Sequence, residues 1–136
     1  MNILQFSFFE IGMSRIMTHS FSENDVAEFS RISGDNNPIH LDDDYARNTI
    51  FKQRIVYGAL VSSIFSSMFA NDFPGSGCIS LKSEVRYLKP VFLNEEVSFS
   101  IEIISLSHFK RRIAFENKAH TPTGLCVIDS SQLYIP

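Results

Sequence analysis

Apolar residues follow two regimes along this chain, a helical period in the first half and strict alternation in the second. Between Gly58 and Ala70, Leu60, Val61, Ile64, Phe65, Met68 and Phe69 recur on one face of a 3.6-residue period, while Ser62, Ser63, Ser66 and Ser67 fill the other. This predicts the longest helix. Beyond the turn Phe73-Pro74-Gly75-Ser76-Gly77 the period drops to two. Ile79, Leu81, Val85 and Tyr87 alternate with Ser80, Lys82, Glu84 and Arg86, and Val97, Phe99, Ile101 and Ile103 alternate with Ser98, Ser100 and Glu102. Such alternation marks half-buried strands. Two more strands are expected over 109–119, with Phe109, Ile113 and Phe115 apolar, and over 125–135, joined by Thr121-Pro122-Thr123-Gly124. Upstream, 13–19 reads as a first strand. A helix follows, capped by Ser22, with Glu23 and Asp25 in its first turn, a stripe of Val26, Phe29 and Ile32, and a stop at Gly34. Residues 35–41 read as loop because Asn36, Asn37 and Pro38 are turn formers, and a short helix over 42–48 opens on Asp42, Asp43 and Asp44. Successive strands joined by short turns imply an antiparallel sheet. With one long apolar helix before them, the fold class is α+β: a single domain over 1–136, its sheet wrapped on a central helix.

Composition narrows what the domain does. A chain of 136 residues can bury roughly two-thirds of its unfolded surface, enough for a core without metal or disulfide staples. Thirteen Phe and no Trp point to aromatic core packing. The net charge of −3 leaves no basic stripe to follow a phosphate backbone, so no nucleic acid is expected as a partner. Lys110-Arg111-Arg112 is the densest basic cluster; it reads as a solvated turn, or as a grip for the phosphates of a carrier or nucleotide. Cys78 and Cys126 make neither a metal spacing nor a disulfide framework and sit among apolar neighbours, as free thiols in a reducing compartment do. Met1 to Ile11 is apolar but lacks a basic n-region and a small-residue cleavage site, and no apolar run approaches the roughly 20 residues that cross a bilayer. A cytoplasmic protein without membrane association is expected.

The densest polar constellation is Ser33-Gly34-Asp35-Asn36-Asn37-Pro38-Ile39-His40-Leu41-Asp42. It places a carboxylate and an imidazole five residues apart, in a segment pinned by Gly34 and Pro38. If a turn brings the two side chains together, they can share a water, one accepting a hydrogen and the other accepting or returning a second. Asn36 and Asn37 can fix the segment through side-chain bonds to backbone. Three other readings stand beside this one. The acidic run with His40 is a weak metal set, better explained as helix-start charge. A serine hydrolase lacks its G-x-S-x-G elbow. A purely structural capped loop remains open. The serine face of the long helix also has two readings, tight packing or the wall of a pocket.

The run Phe29-x-x-Ile32-Ser33-Gly34-Asp35-x-Asn37-Pro38-Ile39-His40-x-Asp42-x-x-x-Ala46 resembles the signature of the MaoC-like, (R)-specific enoyl-CoA hydratases. Phe51-x-x-Arg54-Ile55-x-x-Gly58-x-Leu60, Pro74-Gly75-x-Gly77 and Tyr87-x-x-Pro90-Val91 resemble that family's later blocks in order, so the likeness runs from about residue 12 to 134. The resemblance implies a hot-dog fold, a homodimer with acyl tunnels near the subunit interface, and reversible hydration of a trans-2-enoyl thioester carried on CoA or acyl-carrier protein. No metal or other cofactor is implied. It assigns Asp35 and His40 as the acid–base pair and the Gly58 N–H as the donor to the thioester oxygen. Asn37 is expected to support the loop, and Ser62, Ser66 or Phe69 to border the tunnel. The chain departs from the family at Tyr57, where His is common. Tyrosine donates a hydrogen bond but is no base near neutral pH. The change bears on substrate preference or the oxyanion side, or is simply an aromatic pocket wall. On the same fold, a non-catalytic partner subunit of a dehydratase heterodimer and an acyl-thioester thioesterase are the alternatives.

Overall fold

The computed structural model describes residues 5–136; the apolar opening stretch 1–11 lies partly outside them. Five strands form one antiparallel sheet: β1 (Ser14–His19), β2 (Ile79–Tyr87), β3 (Val97–Ser107), β4 (Arg112–Thr121) and β5 (Gly124–Tyr134), in the order β1-β3-β4-β5-β2. Four α-helices precede β2: α1 (Glu23–Ser33), α2 (Pro38–Leu41), α3 (Asp43–Arg47) and α4 (Gly58–Asn71). This is the α+β arrangement expected from the two hydrophobic periods. The curved sheet wraps α4. Val61, Phe65, Met68 and Phe69 are buried on the sheet, with the rings of Phe65 and Phe99 5.5 Å apart and those of Phe69 and Phe115 4.9 Å apart. Each such side chain contributes roughly 1.5–3 kcal/mol by leaving water.

α1 starts and stops as its sequence dictates. The Asp25 N–H donates to Ser22 Oγ at 3.1 Å and the Ser22 N–H to Asp25 Oδ2 at 2.9 Å, a reciprocal capping box. Gly34 closes the helix at φ 77°, a left-handed conformation that costs glycine little. The expected apolar stripe is only partly realised. Val26 is buried and Phe29 half-buried, but Ile32 is 73% exposed. Six residues along a helix turn a side chain about 120° from where it began, so Ile32 leaves the face that Val26 buries.

Three other expectations change. The segment read as loop over 35–41 contains α2, because Asn37 caps it and Pro38 takes the first helical position. The strand expected over 109–119 starts only at Arg112: His108–Arg111 form a turn, Arg111 sits at φ 53°, and Phe109 is 96% exposed. Arg111 is also drawn out of the basic cluster, since its guanidinium donates to the carbonyls of Ile135 at 2.7 Å and Pro136 at 3.3 Å. β2 is not half-buried. It is an edge strand whose register shifts between Ser80 and Lys82, and Ile79, Leu81 and Tyr87 are each about half exposed. Nothing in the chain covers that edge among the described residues.

The inner face of the sheet also buries charge. Asn117 and Asp129 lie opposite one another on β4 and β5, between buried apolar neighbours. Asp129 accepts from Ser83 and Ser131 at 2.6 Å each and from Asn117 at 3.0 Å. Three donors offset much of the cost of removing the carboxylate from water. Asp129→Ala strands those donors and is expected to cost about 3 kcal/mol. A urea unfolding midpoint unchanged from the parent chain would show that the network contributes nothing.

Burial pushes the thiols of Cys78 and Cys126 above their ordinary pKa, and neither is bridged. A protonated thiol is a poor nucleophile. No described helix is long and apolar enough to cross a membrane.

Candidate active site

The segment from Gly34 to Ile55 is a chain of short caps, each built from the residue that its position requires. Ser33 Oγ accepts the Asp35 N–H at 3.1 Å, Asp35 Oδ1 accepts the Asn37 N–H at 3.0 Å, and Asn37 Oδ1 accepts the Ile39 N–H at 3.5 Å. Asn37 thus caps α2 through its side chain. Asn36 does so differently: its Oδ1 accepts from the Ser30 hydroxyl at 2.8 Å, a side-chain bond back to α1. Asp42 caps α3 by accepting the Tyr45 N–H at 3.0 Å. The acidic run therefore does helix-start work. Among the described residues no three His, Cys, Asp or Glu are grouped to hold a metal ion.

Arg54 ties these short helices to α1. Its side chain is 12% exposed, and the guanidinium bridges Glu23 and Asp43 at 2.8 Å each and reaches the Leu41 carbonyl at 3.4 Å. Burial works against its charge, but the hydrogen bonds and negative charges of Glu23 and Asp43 outweigh that and hold its pKa above the ordinary arginine value. The guanidinium is therefore a permanent positive clamp.

His40 is buried on α2. Its Nδ1 lies 2.8 Å from the Ile55 carbonyl oxygen. A carbonyl only accepts, so Nδ1 carries the hydrogen, and in the neutral ring Nε2 is left as the lone-pair nitrogen. The Tyr57 ring packs against the imidazole, centroids 3.9 Å apart and planes 33° apart, and Phe29 packs against Tyr57 at 4.7 Å. Tyr57 is also the residue before α4. Gly58 opens that helix, so its N–H has no partner inside it and lies at the positive end of the helix dipole. A side chain at 58 would displace a neighbour: a Cβ there would stand 2.7 Å from the Tyr87 ring, which would have to move.

His40 and Gly58 share one cavity of about 510 Å³. Its wall is mostly apolar and includes Ile55, Val61, Tyr87 and Val127, with Lys89 the charged exception. Asp35 is not part of that wall. Its side chain is exposed, and its tie to His40 runs through Tyr57, whose hydroxyl donates to the Asp35 carbonyl at 2.6 Å. Ser62, Ser66 and Phe69 are not brought to this cavity either. Ser62 bonds back to the Ala59 carbonyl at 3.2 Å, Ser66 is exposed, and Phe69 is buried against Phe115. The contacts that orient His40, the Ile55 carbonyl and the Tyr57 ring, escaped the sequence reading. The carbonyl leaves no trace in residue identity. Tyr57 stood out in sequence beside Gly58 and as a departure from the resembled family, but its contact with His40 did not.

A buried, oriented imidazole facing an apolar cavity beside a free helix-start amide suits proton transfer next to a carbonyl group. The chain belongs to the MaoC-like domain family, whose model matches residues 10–123, and its fold is the hot-dog fold. Among curated relatives, the (R)-specific enoyl-CoA hydratase of Aeromonas caviae is 32% identical over 119 residues, 88% of this chain and 89% of the relative. A mitochondrial 3-hydroxyacyl-[acyl-carrier-protein] dehydratase of Arabidopsis thaliana is 33% identical over 115 residues, 82% of this chain and 68% of the relative. Among solved structures, the (R)-hydratase from A. caviae involved in PHA biosynthesis superposes with a TM-score of 0.91 at 32% identity, covering 94% of this chain and 98% of that one.

Proposed function

We propose that this chain is an (R)-specific enoyl-thioester hydratase and dehydratase, a hydro-lyase that adds water reversibly and syn to a trans-2-enoyl thioester. The observation that carries this reading is the shared cavity of His40, its Nδ1 committed to the Ile55 carbonyl, and the Gly58 amide. Water adds its hydroxyl to C3 and a proton to C2, giving the (R)-3-hydroxyacyl thioester. The thioester carbonyl draws electrons from C3, and negative charge collects on its oxygen as an enolate. The Gly58 N–H meets that charge as it forms. His40 Nε2 holds the water at the cavity wall, and the Asp35 carboxylate, exposed outside that wall, turns to the same water, so that the pair takes its proton and delivers one to C2. Every step is proton transfer or addition to a polarised alkene, so the mechanism needs no metal or redox cofactor. The acyl handle is CoA or acyl-carrier protein; the two relatives above are named for one each.

The test is direct. Purified chain mixed with crotonyl-CoA should bleach the enoyl absorbance and yield the (R)-3-hydroxy product. Release of free thiol without that bleaching would make it a thioesterase, and inactivity of the isolated chain would make it a partner subunit.

A homodimer belongs to the same proposal. β2 offers unpaired edge amides and carbonyls together with exposed Ile79, Leu81 and Tyr87, which is the surface a second copy would pair with. Sedimentation at micromolar concentration should give twice the 15.5-kDa chain mass. A monomer at every concentration removes this part. Cytoplasmic placement is likewise proposed, supported by the two unbridged thiols.

A further inference from the structure

We infer that Tyr57 is a positioning residue that holds Asp35 and His40 in register with each other and with the Gly58 amide. The inference rests on the hydration reading above and adds a residue to it. The Tyr57 side chain contacts both members of the pair. Its hydroxyl donates to the Asp35 carbonyl at 2.6 Å, and its ring lies against the His40 imidazole at 3.9 Å. Its own carbonyl accepts the first helical bond of α4, from the Val61 N–H at 3.0 Å, and Gly58 is the next residue. Tyr57 is 2% exposed and backed by Phe29, so neither ring nor hydroxyl is free to wander.

The two contacts do different things. Imidazole orientation needs two constraints, because a single hydrogen bond lets a ring swing about its axis. The Nδ1–Ile55 bond supplies one and the face of Tyr57 the other. Asp35 lies on exposed backbone beside left-handed Gly34, held locally by Ser33 and Asn37. Through Asn37, the N-cap of α2, those bonds join its turn to the start of that helix, but they make no tie to the imidazole ring or to α4. The phenol does, across 22 residues of sequence. The tyrosine thus joins the two residues through one rigid side chain.

The experiment uses Tyr57→Phe, which keeps the ring and loses the hydroxyl, and Tyr57→Leu, which loses both. Each is made in the parent chain and in an Asp35→Asn background. Tyr57→Phe should lower kcat for crotonyl-CoA about tenfold with KM unchanged, because misplacement of a reacting group by a fraction of an ångström costs this order. Tyr57→Leu should lose more. In the Asp35→Asn background the further loss on Tyr57→Phe should vanish, because the hydroxyl acts through Asp35. Undiminished kcat in Tyr57→Phe overturns the inference. So does a loss confined to KM, or one that multiplies in full onto Asp35→Asn. Failure of Tyr57→Phe to fold would make the residue structural and overturns it as well. If the parent chain itself does not hydrate crotonyl-CoA, the reading of function fails first, and that outcome is separate.

Discussion

Asp35→Asn and His40→Ala should each lower kcat for crotonyl-CoA hydration about 10²- to 10⁴-fold, the range a positioned acid or base supplies. The two variants differ in what else they disturb. Asparagine at 35 is nearly isosteric, and its amide oxygen can still accept the Asn37 N–H that Asp35 Oδ1 accepts now. The site is exposed, so stability should hardly move. Alanine at 40 strands the Ile55 carbonyl and removes the face that Tyr57 packs on, at a cost of about 1–3 kcal/mol. Its melting temperature must therefore be measured beside its rate. Because Asp35 stands outside the wall of the cavity that His40 lines, the pair is testable one member at a time. Full activity in Asp35→Asn would leave His40 to move both protons. Full activity in His40→Ala would remove the acid–base mechanism altogether.

How far residue order alone foretold this arrangement depends on the range of the interaction. Capping is local, and Ser22, Gly34 and Asn37 act where their types suggest. α4 and the antiparallel sheet follow from periodicity, because burying one face dominates their energetics. Periodicity says nothing of what lies across a face, and it misled wherever that mattered. Leu81 and Tyr87 alternate as core residues do, yet β2 is an edge strand left uncovered among the described residues. Asn117 and Asp129 hold positions where the alternation calls for apolar side chains, and only the register of three strands reveals their shared bonds. The pair Asp35 and His40 was visible as a motif, whereas the connection between them was not. It passes through Tyr57, distant in sequence from both and noticed only as a departure from the family's usual histidine.

Gly58→Pro should lower kcat about 10²- to 10³-fold relative to Gly58→Ala, the loss expected when one oxyanion donor is removed. The comparison tests the amide, which proline replaces with a ring carbon and alanine keeps. Both substitutions introduce a Cβ against the Tyr87 ring, 2.7 Å away, and Tyr87 is exposed enough to swing aside, so both share that steric cost. Only proline deletes the N–H. The fold should tolerate it, because proline is favoured at the first position of a helix, where the amide has no intrahelical partner. Tyr57 already holds φ −54° and ψ 129°, the extended conformation required of a residue before proline. Melting temperatures of the two variants should therefore be close while their turnover numbers separate. If they separate in KM alone, the amide holds substrate and transition state equally, and its contribution is to binding and not to rate. If they do not separate at all, the enolate oxygen is stabilised elsewhere. The free amide at the head of α4 would then be a consequence of where the helix starts, with no part in the chemistry.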